Sequence, residues 1–247
     1  MPFTPAHTAI LFPARWINPK YISWTALIIG SMVPDAEYFM WMNSGSYISH
    51  SFFGILIFNL PMTFLIAFAW HSFIRKNLLQ RLPFLKSKYK ASTIHNFADW
   101  FRKNYLIFTV SAFVGIMSHL VWDSFCHSKG FMVKKIPILI DYAHIAGHNI
   151  RWCYVLWYVF TMLGLVTVLS VIIDRKALFD KKQWLLFLKY RYYWGKVFLI
   201  ALILSAVRIS LGLNQNVPRH LIIIAIASLL YGIIITSYLE RNNKILI

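Results

Sequence analysis

Five apolar stretches limit what this chain can fold into. Residues 52–74, 105–125, 152–173, 197–213 and 219–239 each carry at most one Asp, Glu, Lys or Arg. A helix rises 1.5 Å per residue, so about 20 apolar residues match the hydrocarbon thickness of a bilayer. Inside lipid every backbone N–H and C=O must be satisfied within the chain, which leaves helices or closed barrels. These lengths fit helices. The prediction is an all-α polytopic membrane helix bundle with five full spans. A further apolar run, 21–33, ends at Pro34 and rises only about 20 Å as a helix. It is expected to be a half-span or an interfacial helix. Composition agrees: 59% of residues are hydrophobic and 13% charged, against about a quarter charged in soluble domains. We expect one domain, with residues 1–150 holding the polar clusters and 151–247 adding further spans. The first 20 residues lack a basic segment followed by an apolar core, so the first spans are expected to act as uncleaved insertion signals.

The net charge of +17 raises nucleic acid as a partner. Its distribution argues against that and for the bilayer. Eight Lys/Arg fall in 75–104 and seven in 174–196, as expected of cytoplasmic loops that set topology. No nucleic-acid motif accompanies them. Placing both loops inside also puts Arg241, Lys244 and the C-terminus in the cytoplasm. His50, Asp123, His127, His144, His148 and His220 then fall at the outer ends of spans, together with Asp35 and Glu37. Only His71 and His95 fall inside. With Asp99, these two are expected to be plain loop residues. His7 joins the outer group only if 21–33 does not cross. Cys126 and Cys153 fall near helix ends on one side, as two unrelated thiols or a pair.

The chain has only 8 acidic residues, and several lie beside histidines. His119 and Asp123 are four apart, hence on one helix face, and His127 is one turn further. Imidazole nitrogen with carboxylate oxygen suits Zn²⁺ and other first-row divalent ions. A capping aspartate beside an unrelated histidine would give the same spacing. The setting inside an apolar span favours function, because ionisable groups there are costly. Asp35 and Glu37 follow the turn Gly30-Ser31, and His50 opens the next span between two serines. His144 and His148, with Asp141 one turn earlier, are candidates for a second metal or for the interface.

The order of these motifs carries a resemblance. An early His, then "GSMVPDAEYF", "SHSFFG" and "SHLVWDSFCH", resembles a bacterial membrane family, domain of unknown function 4184, over the N-terminal half. That family usually has Thr where Cys126 stands. The ligand order is also similar to the membrane-bound metal-dependent hydrolases. More distantly, it is similar to the zinc-dependent phospholipase C and single-strand nuclease fold. The resemblance implies His7, Asp35, His50, His119 and Asp123 as metal ligands, with His127 a further candidate and Asp35 a possible bridge between ions. The second His-x-x-x-acid pair of the three-zinc fold is missing: four residues after His148 stands Trp152. One or two ions are therefore expected, Zn²⁺ first, with Mn²⁺ or Fe²⁺ as alternatives.

The expected function is a metal-dependent hydrolase in the bacterial plasma membrane. Its site would open to the outer face and act on a phosphoester of a lipid or lipid-linked substrate. Asp123 and Glu37 are the candidate catalytic carboxylates, Glu37 as base or as partner of a histidine. The alternatives are a transporter using the same polar groups, or an envelope protein with a structural metal. A transporter would place ionisable groups at mid-membrane, whereas here most sit at span ends.

Overall fold

The computed structural model describes residues 3–43, 45, 48–85, 96–213 and 217–242. His95 and Lys244 lie outside them. A seven-residue helix, α1 (Trp24–Gly30), precedes five long ones: α2 (Phe52–Gln80), α3 (Phe97–Asp123), α4 (Trp152–Ile172), α5 (Arg191–Ser210) and α6 (Val217–Leu239). All five are long and apolar enough to cross a membrane, and the chain is a polytopic helical membrane protein. α1 rises roughly 10 Å, too short to span. Ser23 caps it, its Oγ accepting from the Ala26 N–H at 3.3 Å.

Three of the long helices, α3, α5 and α6, start earlier than hydropathy alone indicates, whereas α2 and α4 begin at Phe52 and Trp152 as expected. α3 begins at Phe97, because Asn96 and Asp99 close a reciprocal cap: the Asp99 N–H donates to Asn96 Oδ1 and Asn96 Nδ2 donates to Asp99 Oδ2. Asp99 is thus a helix-start residue, not a loop residue. His71 lies within α2, its ring stacked on Phe97 at 4.2 Å. α2 is not uniformly α-helical. Pro61 has no N–H to offer the preceding turn, and Ile55–Asn59 just before it opens into a π-helical turn.

Two strands depart from the all-α expectation. β1 (Tyr142–Ile145) and β2 (His148–Arg151) form an antiparallel hairpin between α3 and α4. Ala146 and Gly147 turn it, both at positive φ (51° and 80°), the backbone that two-residue hairpins require. Ala-Gly is a weak signal for such a turn, and four-residue strands leave little alternation to read.

The fold divides into two compact units. The first comprises Met1–Asp35, Ile48–Leu65 and Phe101–Val171; the second, Ala36–Tyr47, Ile66–Trp100 and Ile172–Ile247. In the first unit, glycines let backbones meet. A Cβ at Gly115 of α3 would stand 2.4 Å from the Leu27 carbonyl oxygen of α1, and one at Gly30 would stand 2.6 Å from that of Ala112. The 3-10 helix Thr4–Trp16 meets α4 in the same way. A Cβ at Gly164 would lie 2.6 Å from the Ala6 Cβ.

The second unit packs α5 along α6, where Gly232 admits the Val197 carbonyl. It is fastened by an ionic network built on the buried Arg81–Glu240 pair, with the more exposed Lys196 at its edge. Arg81 Nη2 donates to Glu240 Oε2 at 2.7 Å, its Nη1 to Asn77 Oδ1 at 2.6 Å, and Lys196 Nζ to Glu240 Oε1 at 2.9 Å. The guanidinium also sits 4.4 Å over the Tyr193 ring. Removing Glu240 leaves the buried Arg81 guanidinium uncompensated, which costs about 3–5 kcal/mol. Glu240→Gln is expected to lower stability by that order in detergent denaturation. Arg81→Met with Glu240→Leu is expected to recover most of the loss.

Candidate metal centre

Five residues of the first unit converge at one end of α3. The segment Thr4–Trp16 is a 3-10 helix, in which positions three apart lie directly above one another. Thr4 and His7 therefore share a face, and Ala6–His7 is seated by Gly164. Thr4 Oγ1 donates to Asp35 Oδ2 at 2.6 Å, which leaves Oδ1 pointing into the cluster. Pro34 and Asp35 sit in a short 3-10 turn, Val33–Asp35, after α1. His119 and Asp123 project from the last two turns of α3. His50 precedes α2, where the buried Asn59 holds its neighbour: Asn59 Nδ2 donates to the Ser49 carbonyl at 2.7 Å, and Ser49 Oγ lies 3.0 Å from His50 Nδ1.

The tautomer of His119 is fixed by geometry. Its Nδ1 lies 2.8 Å from the Ser31 carbonyl, which can only accept. Nδ1 therefore carries the proton, and Nε2 presents a lone pair. That Nε2 is 3.5 Å from Asp35 Oδ1, while His50 Nε2 is 3.9 Å from Asp35 Oδ1 and 3.8 Å from Asp123 Oδ2. His7 stacks on His119 with ring centroids 3.8 Å apart. Ligand atoms of His7, Asp35 and His119 lie within 4.8 Å of one another, and so do those of His50, His119 and Asp123. Donors bound at ~2.1 Å in a tetrahedron stand about 3.4 Å apart, close to these separations.

The cluster is buried and under-bonded. His7 and His119 are 0% exposed and Asp35 1%. Among the described residues, both ring nitrogens of His7, Asp35 Oδ1, His119 Nε2 and Asp123 Oδ1 make no hydrogen bond. Each such buried atom costs about 1–3 kcal/mol, and a group of them around one point is rare in folded proteins. A cation would satisfy them together. Burial holds the His7 imidazole well below its ordinary range, and His119 beside it acts the same way. Burial likewise lowers His50, against the pull of Asp35. It pushes the Asp35 carboxyl up to about 7, against the Thr4 hydrogen bond and His50. Neutral imidazole is the form that ligates metal.

His127 stands at the rim. Its Nε2 is 3.0 Å from Asp123 Oδ2 and its side chain is 36% exposed. Its partner is thus a candidate ligand, and His127 belongs to neither ligand group. Glu37 is buried and likewise belongs to neither ligand group. His144 and His148 lie exposed on the hairpin, His144 Nδ1 being 2.9 Å from Asn149 Oδ1. Cys126 and Cys153 are both buried and both free thiols. His220, in the second unit, is buried against the Met42 carbonyl at 2.8 Å, with Arg208 at 3.1 Å.

The supporting residues were the harder ones to find in sequence. Thr4 was readable only by supposing a three-residue period around His7, and Gly115 only as a small residue one turn before His119. Ser31 reads in sequence only as a turn residue before Pro34, and Asn59 carries no signal of its own. Thr4→Val is expected to lower metal affinity about 10–100-fold, the usual cost of losing a partner that orients a ligand. Competition with a chromophoric chelator measures it.

Fold and site together define a polytopic α-helical membrane protein with a buried histidine–carboxylate cluster at one end of its spans. The chain belongs to the family described as Domain of unknown function (DUF4184), which matches residues 1–238. Membership thus extends beyond the N-terminal half, where the recognisable motifs lie, across all five spans. No curated protein and no solved structure matches the chain.

Proposed function

We propose that the first unit binds a divalent metal ion, Zn²⁺ in first place, and that the protein is a membrane-embedded metal-dependent hydrolase. The observation that carries this reading is the His119 Nε2 lone pair, fixed by Ser31 and facing Asp35 in a pocket of buried, unbonded donor atoms. Both ligand groups include His119, whose Nδ1 is taken by the Ser31 carbonyl; with Nε2 left to serve both, a single ion at His119 is favoured. The ion would supply Lewis acidity and a lowered pKa for attacking water. The protein's own groups do the rest. His7, Asp35 and His119 hold the closed side. His50, 24% exposed, and His127 mark the side through which a substrate reaches Asp123. That open side favours turnover over a purely structural metal, whose site would be closed.

The basic loops 75–104 and 174–196 support a cytoplasmic C-terminus and a site at the extracytoplasmic face of a bacterial plasma membrane. A site at the end of membrane helices suits a phosphoester of a lipid or lipid-linked molecule. The distant likeness to metal-dependent hydrolases points the same way, as analogy. The test is release of phosphate or headgroup from mixed-micelle phospholipid and polyprenyl phosphate substrates by Zn²⁺-loaded protein. Asp123→Asn is expected to abolish the release. A wild type that holds metal and turns over neither substrate overturns the hydrolase reading and leaves a metal protein of another kind.

A further inference from the structure

The chain between α3 and α4 carries a feature the metal cluster does not use. From Lys129 to Arg151 it holds four cations, Lys129, Lys134, Lys135 and Arg151, against one anion, Asp141. One set of its side chains is buried: Val133 and Leu139 pack with Cys153, Phe125 and Leu156. The other set is apolar and exposed: Phe131, Ile136, Ile138, Ile140, Tyr142 and Ile145. Two of the cations rest on its aromatic rings. Lys135 Nζ is 4.4 Å from the Phe131 centroid, and the Arg151 guanidinium lies 5.5 Å from that of Tyr142. Arg151 also donates from Nε to the Tyr142 hydroxyl at 3.2 Å.

Position and charge together indicate what covers this patch. The segment leaves α3 at Asp123 and enters α4 at Trp152, so both its ends lie where a membrane-length helix meets the surface. Apolar side chains interleaved with aromatic–cation pairs settle at that depth. A loop joining two spans emerges opposite the loops that precede and follow the pair. Here those two connections with their adjoining helix ends, 75–104 and 174–196, already hold fifteen Lys/Arg, the kind of cation excess that sets topology. The cations of 129–151 therefore need another partner, and an anionic headgroup layer is complementary to them.

We propose that residues 129–151 lie in the headgroup layer and bind anionic phospholipid, with Lys129, Lys134 and Lys135 facing the phosphates. This goes beyond the metal reading and rests only on the membrane placement of α3 and α4. It also puts bound headgroups one tight turn from the cluster, since the Gly130 N–H donates to the His127 carbonyl at 2.8 Å and the Val133 N–H to that of Ser124 at 3.3 Å.

The test uses the full chain in two measurements. Binding of short-chain phosphatidylglycerol to the detergent-solubilised protein is titrated for wild type, for Lys134→Gln/Lys135→Gln, and for Lys181→Gln/Lys182→Gln as control. Juxtamembrane cations each contribute about fivefold to anionic-lipid binding, so the first pair is expected to weaken it roughly 25-fold and the control to leave it unchanged. A fluorophore on Ile138→Cys in nanodiscs is expected to be quenched by headgroup spin-labelled lipid and shielded from iodide. Equal affinity in wild type and the Lys134/Lys135 variant overturns the proposal. So does a probe open to iodide and untouched by lipid, which would mark the patch as a docking surface for a soluble protein.

Discussion

His119→Ala is expected to empty the metal centre. Other donors can shift to cover a missing ligand at the edge of a site, but His119 belongs to both ligand groups. Without it His7 and Asp35 on one side, and His50 and Asp123 on the other, lose the nitrogen that joins them. Loss of a partner that merely orients a ligand costs about 10–100-fold in affinity, so loss of this one is expected to exceed roughly 100-fold. Metal analysis after purification at fixed free Zn²⁺ reads the effect. His144→Ala removes an exposed histidine of the hairpin and is expected to leave metal content unchanged. Comparing apo-protein stability of His119→Ala and wild type separates ligand loss from the cavity that the truncation creates.

Gly115→Leu is expected to damage both packing and site. The Gly115 Cα faces the end of α1 so closely that even a Cβ would meet the Leu27 carbonyl at 2.4 Å and the Ser31 nitrogen at 3.0 Å. Both are backbone atoms, so relief requires α1 to move. Overpacking of this kind costs on the order of 3 kcal/mol or more. The displacement also carries the Ser31 carbonyl away from His119 Nδ1, releasing the ring that the cluster depends on. The variant is expected to unfold earlier on heating in detergent, and any folded fraction is expected to bind metal weakly. Gly195→Leu serves as control, because a Cβ there meets nothing within 4 Å.

The parts of this protein written in one-dimensional patterns were legible in its sequence. Span length and the absence of charge identify α2 to α6. The four-residue step from His119 to Asp123 identifies two groups on one helix face. The shortness of 21–33 anticipates α1. What sequence could not show depends on contacts between distant segments. Nothing around Gly164 announces that Ala6 packs on it, and nothing in Asn59 announces that it holds the Ser49 carbonyl. Arg81 and Glu240 are 159 positions apart, so their pairing inside the second unit has no local signature. The starts of α3, α5 and α6 lie before their apolar runs because capping and polar first turns extend helices beyond their hydrocarbon part, as Asn96 and Asp99 do for α3. Glu37 stands two residues after Asp35, where a solvated helix terminus fits the sequence equally well, and it is buried in the fold.

The central claim is a divalent ion held by histidine nitrogen and carboxylate oxygen at His119. X-ray absorption at the metal edge of the purified full-length protein tests it most directly. The account predicts about one equivalent of metal with a first shell of nitrogen and oxygen at ~2.0–2.2 Å, an outer-shell imidazole signal, and loss of the spectrum in His119→Ala. Protein without stoichiometric metal, or a shell dominated by sulfur at ~2.3 Å that points to Cys126 and Cys153, would contradict it.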